Sequence, residues 1–349
     1  MLKSLLLIVV FAALCNSLLG AAAYTWPNTQ TDHLEGLLYE QVPKINGVDQ
    51  PAMAFGIIGC SRGASDSGVP LEGRTNSAEW LRTAYHDMAT ADVAAGTGGI
   101  DASIGFEFAD RAENRGRAFF ASLAFFNNHV SIRSSMADLI ALGTTMAVGS
   151  CSNGTVLLPY RAGRIDALAP GPSGVPQPHE DLASHTASFA RQGFNASEMA
   201  ALVACGHTLG GVHGSDFPEI VPVVKDPTSS TNRQDFDNTF AALIIIFTIR
   251  AMQFVSNITQ SPLAFGLNET TNSDHRIFNV DGGGMISRMA ASQAFFLDTC
   301  TSLLSRMIDT VPRNVTLTEP IQLVRVKPVE LDIDVFVNGT MTIRGKIRV

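Results

Sequence analysis

The chain has 349 residues, of which 46% are hydrophobic and 16% charged, with a formal net charge of −8. That length suits one large globular domain, or one domain with a small appendage. An acidic balance with no block of Lys or Arg argues against nucleic acid or an anionic membrane as partner.

The opening MLKSLLLIVVFAALCNSLLGAAA sets a Lys before an apolar run and a tail of small residues. This is the pattern of a secretory signal cleaved near Ala23, and the run is short for a membrane span. We therefore expect a secreted, extracellular protein that is free of the membrane once the signal is removed. Four cysteines remain outside this leader, Cys60, Cys151, Cys205 and Cys300, so two disulfides are expected in an oxidising compartment. Six Asn-x-Ser/Thr patterns, at Asn153, Asn195, Asn257, Asn268, Asn314 and Asn338, fit a glycoprotein.

Helical periodicity dominates from about residue 77 to 310. In WLRTAYHDMAT, residues 80 to 90, Leu81, Ala84, Tyr85 and Met88 make one apolar stripe, and Ala78, Arg82 and His86 line a neighbouring face. Either that second face meets water, or Arg82 and His86 act together on a cavity. Further helices are expected in AFFASLAFFNNHV, SSMADLIALGTTMAVGS, HEDLASHTASFARQG, ASEMAALVACGHTLG and SQAFFLDTCTSLLSRMI, most of them bounded by Gly, Pro, Ser or Asn.

In NASEMAALVACGHTLGG, Asn195 and Glu198 form a capping-box pattern and Gly210-Gly211 closes the helix, which puts His207 in the last turn. Asp274 falls in a polar loop, TNSDHRIF. The run AALIIIFTI, residues 241 to 249, is continuously apolar yet too short to span a bilayer. The tail VELDIDVFVNGTMTIRGKIRV alternates apolar and polar residues around an Asn-Gly, which predicts a hairpin. His33, His129, His179, His185, His213 and His275 lack a second His or Cys at i+3 or i+4, so structural roles are expected for them.

The elements R-x-x-aromatic-H-D at Arg82 to Asp87, GGIDAS at 98 to 103, ENRG at 113 to 116, MADLIALG at 136 to 143, GRID at 163 to 166, CGHTLG at 205 to 210 and NSDHRIF at 272 to 278 follow one another in the order seen in plant-type haem peroxidases. Over roughly residues 30 to 320 the chain resembles that superfamily, and within it the secreted fungal enzymes and their hybrid forms with extra C-terminal modules. The resemblance implies a mainly α, two-part helical fold, with haem b between a distal and a proximal helix and a short β-rich C-terminal extension. The implied organisation is a signal peptide at 1–23, a haem peroxidase domain at 24–320, and the start of a truncated β-rich module at 321–349.

By resemblance, His207 is the axial ligand of the haem iron and Asp274 draws its proton. Arg82, His86 and Asn114 carry the chemistry on the open side, where His86 is base and then acid and Asn114 fixes its tautomer. Tyr85 takes the place of a stacking aromatic, with a phenol oxidised during turnover as the alternative. Asp87, the Gly99 carbonyl, Asp101 and Ser103 match an oxygen-rich calcium site, the other reading being a capped loop without an ion. Thr208 and Asp237 resemble part of a second calcium site. The resemblance pairs Cys60 with Cys151, which leaves Cys205 and Cys300 to each other unless Cys205 is a buried thiol.

The expected partners are hydrogen peroxide and small, phenolic reductants, oxidised one electron at a time by a monomer. The apolar segment from 241 to 256 departs from the family pattern and suggests a replaced or mis-spliced exon. It leaves an alternative, a catalytically impaired haem-binding or wall-associated glycoprotein. Trp26 and Trp80 are the only tryptophans, so a surface tryptophan relay has no candidate, and no manganese site is assigned.

Overall fold

The computed structural model describes residues 28–41, 44–45, 48–49, 52–60, 74–224, 231–236 and 261–349. The leader, Trp26, Asp237, the sequon at Asn257 and the apolar segment from 241 to 256 lie outside the described residues.

The fold is mainly helical. Helix α1, Thr29–Glu35, continues into a π turn, Gly36–Glu40, and a 3-10 turn follows at Met53–Cys60. Helices α2 (Asn76–Met88), α3 (Ile104–Glu107), α4 (Ala118–Asn127) and α5 (Met136–Cys151) form one part. Helices α6 (Leu182–Arg191), α7 (Ala196–Gly206), α8 (Ser273–Phe278), α9 (Gly284–Ala291) and α10 (Gln293–Asp309) form the other. Among the described residues, no helix is long and apolar enough to cross a membrane.

Local chemistry sets the helix ends. Ser135 and Asp181 cap α5 and α6 through side-chain oxygens that accept from Asp138 N and Ser184 N. The capping box expected at Asn195 and Glu198 opens α7, with both reciprocal bonds at 2.9 Å. α7 ends at Gly206, so His207 is its C-cap residue rather than a member of the last turn. Asp274 lies in the first turn of α8, not in a loop.

A continuous apolar core joins the two parts. Leu81, Ala84 and Met88 of the expected stripe are buried with Trp80, which packs on Phe125 and Phe126 at 5.1 and 4.9 Å between ring centroids. Trp80 is therefore an interior residue. Buried charge also fixes the architecture: Asp138 of α5 bonds Arg164 at 3.1 Å with neither side chain exposed, and Arg164 donates to the Ile308 carbonyl of α10. Asp166 accepts from Met136 N and Ala137 N at the start of α5. The MADLIALG and GRID elements are thus one interlocked structural unit.

Cys60 is bonded to Cys151 and Cys205 to Cys300, linking the 3-10 turn to the end of α5 and α7 to α10. With sequence separations of 91 and 95 residues, each bond is worth about 4.6 kcal/mol in the chain-entropy picture.

Three short antiparallel sheets complete the described residues. Strand β1, Lys44–Ile45, pairs with β2, Val48–Asp49, and β3, Gly211–His213, pairs with β4, Arg233–Asp235. The C-terminal hairpin forms as the alternation predicts: β5, Lys327–Val335, pairs with β6, Met341–Arg348, around Asn338-Gly339. Its root is fixed by Lys327, whose buried ammonium meets Asp32 of α1 at 2.9 Å.

Candidate active site

α2 and the turn after α7 face each other across a cavity of about 260 Å³. Gly210, with φ +77°, makes this approach possible, because a β-carbon there would stand 2.7 Å from Ala78 of α2. The cavity receives the second face of α2 proposed by the helical spacing: Ala78, Arg82 and His86 all line it, and so does Tyr85. The water-facing alternative for Arg82 and His86 does not hold.

His86 is buried, and its Nδ1 lies 2.9 Å from Asn114 Oδ1. An amide oxygen accepts, so this pairing places the ring proton on Nδ1 and leaves the Nε2 lone pair to the cavity. Burial, then the Arg82 charge, pull the His86 pKa from 6.5 to about 3 against the opposing effect of the Asn114 bond. His86 is neutral at any ordinary pH.

Arg82 donates from Nη2 to the Arg115 carbonyl at 2.9 Å, and its guanidinium lies 4.5 Å from the Phe119 ring centroid and 5.5 Å from that of Phe217. Burial lowers its pKa to about 10, opposed by the charges of Glu79 and Asp216. It stays cationic near neutrality. Phe119 also packs on His86, 4.7 Å between centroids, so one ring orients both polar groups.

On the opposite wall, His207 Nδ1 lies 2.8 Å from Asp274 Oδ2, and the imidazole stacks on Phe236 at 4.2 Å with planes 13° apart. With Nδ1 committed to a buried carboxylate, Nε2 is the ring nitrogen left to the cavity. Tyr85 stacks on Phe189, 5.9 Å between centroids, and burial raises its phenol pKa.

The remaining sequence-derived residues divide. Asp87 is fully buried and accepts from Asp101 N, Ala102 N and Ile104 N at 2.8 to 3.0 Å, which makes it the cap of the loop after Gly99. Asp101 accepts from Ser103 N at 3.0 Å, and the Ser103 hydroxyl is buried beside that carboxylate. Burial and the Asp101 charge raise the Asp87 pKa well above the usual carboxylate range. Thr208 donates to the Cys205 carbonyl at 2.8 Å. Among the described residues, no three His, Cys, Asp or Glu side chains gather as a metal site.

Two histidines given structural roles above, His185 and His213, line the cavity. Neither carries a sequence signal of metal-ligand spacing; only their spatial neighbours place them there. His185 is buried, and His213 Nδ1 meets Thr231 Oγ1 at 2.6 Å.

A two-part helical fold whose cavity lies between an Arg/His/Asn set and a His/Asp pair defines a class. A family profile described as peroxidase matches residues 67–259, more than half of the chain and across the segment from 241 to 256. The chain belongs to the peroxidase family, within the plant-type haem peroxidase superfamily. It is 41% identical over 331 residues to a WSC domain-containing protein of Arthroderma benhamiae, covering 93% of this chain and 43% of that one. It is 34% identical over 134 residues to putative L-ascorbate peroxidase 6 of Arabidopsis thaliana, covering 37% of this chain and 40% of the relative. Catalase-peroxidase 1 of Haloarcula marismortui matches at 49% over 49 residues, 14% of this chain and 7% of that protein. The chain therefore spans less than half the length of these curated relatives.

Membership of the family implies haem, and the donor set fits it. His207 presents one ring nitrogen to the cavity while its other is held by a carboxylate, the arrangement that suits a metal-ligating histidine. Apolar side chains such as Leu202, Ile277 and Met307 complete the walls, as a flat, largely apolar ligand requires.

Proposed function

We propose that the chain is a secreted haem peroxidase that reduces hydrogen peroxide and oxidises small phenolic donors in single-electron steps. The observation that carries this reading is the opposition of two histidines with different partners: His86 on an amide oxygen and His207 on a carboxylate. The same ring is thereby tuned to two tasks. An amide leaves His86 a neutral base, whereas Asp274 makes His207 a stronger electron donor.

His207 would hold the iron of bound haem, which exchanges electrons with peroxide and with the donor. His86 Nε2 is placed to take a proton from one peroxide oxygen and return it to the other, which leaves as water when the O–O bond breaks, a role worth roughly 10²- to 10⁴-fold. Asn114 keeps the Nδ1 proton in place throughout. Arg82, aimed into the same cavity one helical turn away, stabilises negative charge on the departing oxygen by about 3 kcal/mol. Tyr85 and Phe189 wall the site and exclude water.

Calcium is a further part of the proposal. Asp87, Asp101, the Ser103 hydroxyl and the Gly99 carbonyl are oxygen donors of the kind a hard cation takes, and the Asp101 carboxylate lies beside the buried Ser103 hydroxyl. The rival is a non-catalytic haem-binding or wall-associated glycoprotein. It draws on the name of the Arthroderma relative and on the unusual segment from 241 to 256. Stopped-flow mixing of the haem-loaded protein with peroxide separates the two: rapid spectral change that a phenol reverses supports the enzyme, and an inert spectrum supports the rival.

A further inference from the structure

Arg82 touches no carboxylate among the described residues, yet its guanidinium has a defined place. The groups that set that place form a chain of charge. Glu79, one turn earlier on α2, accepts from Arg74 Nη1 at 2.7 Å, and Arg74 Nη2 donates to Asp216 Oδ2 at 2.6 Å. Arg74 is buried, and Asp216 retains only 16% side-chain exposure. Asp216 belongs to the turn after β3, which carries Phe217 beneath both Arg82 and Arg115.

Gly116 completes the arrangement. It holds φ +101°, and a β-carbon there would stand 3.2 Å from Asp216 Oδ2 and 3.3 Å from Arg82 Nη1. The carboxylate and the guanidinium thus face each other across bare backbone, where any side chain would part them.

We propose that Asp216 is a positioning residue for Arg82: by gripping Arg74 and facing Arg82 across Gly116, it ties the loop beyond His207 to α2 and fixes the guanidinium over the cavity. The charges facing Arg82 are Glu79, Asp216, Arg74 and Arg115, with His86 beside it on α2. Without Asp216, two neighbouring guanidiniums share Glu79 alone. Arg74 is buried and Arg82 only half-buried, so relief comes from Arg82 moving toward solvent. The catalytic consequence rests on the peroxidase reading; the positional claim does not.

The test is the crystal structure of Asp216→Asn beside wild type, with the peroxide rate of each haem-loaded protein. The expected result is an Arg82 that leaves the Phe119 ring and loses its bond to the Arg115 carbonyl. The peroxide rate falls roughly tenfold to a hundredfold at unchanged haem content, and Asp216→Glu restores it. Gly116→Ala, which keeps both charges, is expected to shift Arg82 and Asp216 apart by only a few tenths of an ångström and to leave Arg82 on the Phe119 ring. An Arg82 that stays in place in Asp216→Asn overturns the proposal, as does a rate loss that Asp216→Glu leaves uncorrected. A wild-type protein that binds haem but ignores peroxide removes the catalytic consequence, while the crystal comparison still decides the position.

Discussion

His86 Nδ1 stands 2.9 Å from Asn114 Oδ1, an imidazole bound to an amide oxygen in a buried setting. The pairing fixes the tautomer without adding a charge, and burial keeps the ring neutral. A carboxylate in place of Asn114 would instead favour imidazolium and remove the base.

Replacing His86 with Leu removes that base and leaves His207 untouched. We expect haem content near that of wild type and a peroxide rate lower by roughly 10²- to 10⁴-fold. Single-mixing stopped flow measures it, and an unchanged rate would refute the acid-base role.

His207→Ala removes the nitrogen proposed to hold the iron, so haem should be lost on gel filtration. Asp274→Asn keeps the imidazole but withdraws the carboxylate, with an expected loss of about 10- to 100-fold in haem affinity or activity. A His207→Ala protein with a normal haem spectrum would move the ligand elsewhere.

Asp87→Ala strands three backbone N–H groups, those of the half-buried Asp101 and the buried Ala102 and Ile104. A loss of about 3 kcal/mol is expected in urea unfolding. A chelator separates the two proposed roles of the loop: a lower thermal midpoint in EGTA supports calcium, and an unchanged one leaves Asp87 as a cap alone.

Acid should destabilise the fold through its histidines. Burial lowers His33 and His129 to about 4 and His86 and His213 to about 3, all from 6.5. At these rings the unfolded chain binds more protons in this window, so the stability they contribute is full above about pH 6.5 and is lost as the pH drops toward 3, opposed in part by the buried carboxyls of Asp87 and Asp101, whose pKa values are raised. Urea midpoints measured across that range should decline steadily, and less so in His129→Leu. A wild-type midpoint that falls no faster with acid than that of His129→Leu would contradict the burial of this ring.

Much of this was legible in the sequence. The i, i+4 spacing of Arg82 and His86, the capping box at Asn195 and the alternation around Asn338-Gly339 are local signals, and each reappears in the structure where local rules put it. Arg74, Asp216 and Gly116 were not legible. They meet only because the turn after β3 packs against α2, and neither propensity nor periodicity encodes that contact. The sequence places Asp274 in a loop because the short helix α8 has too few residues to show a period. His185 looked structural since nothing in its own helix marks the cavity it faces.

The visible absorption spectrum of the haem-loaded protein, before and after one equivalent of hydrogen peroxide, tests the central claim most directly. The account predicts a Soret band that shifts promptly with peroxide and returns when a phenol is added. A folded protein with no Soret band, or one whose band ignores peroxide, would contradict it.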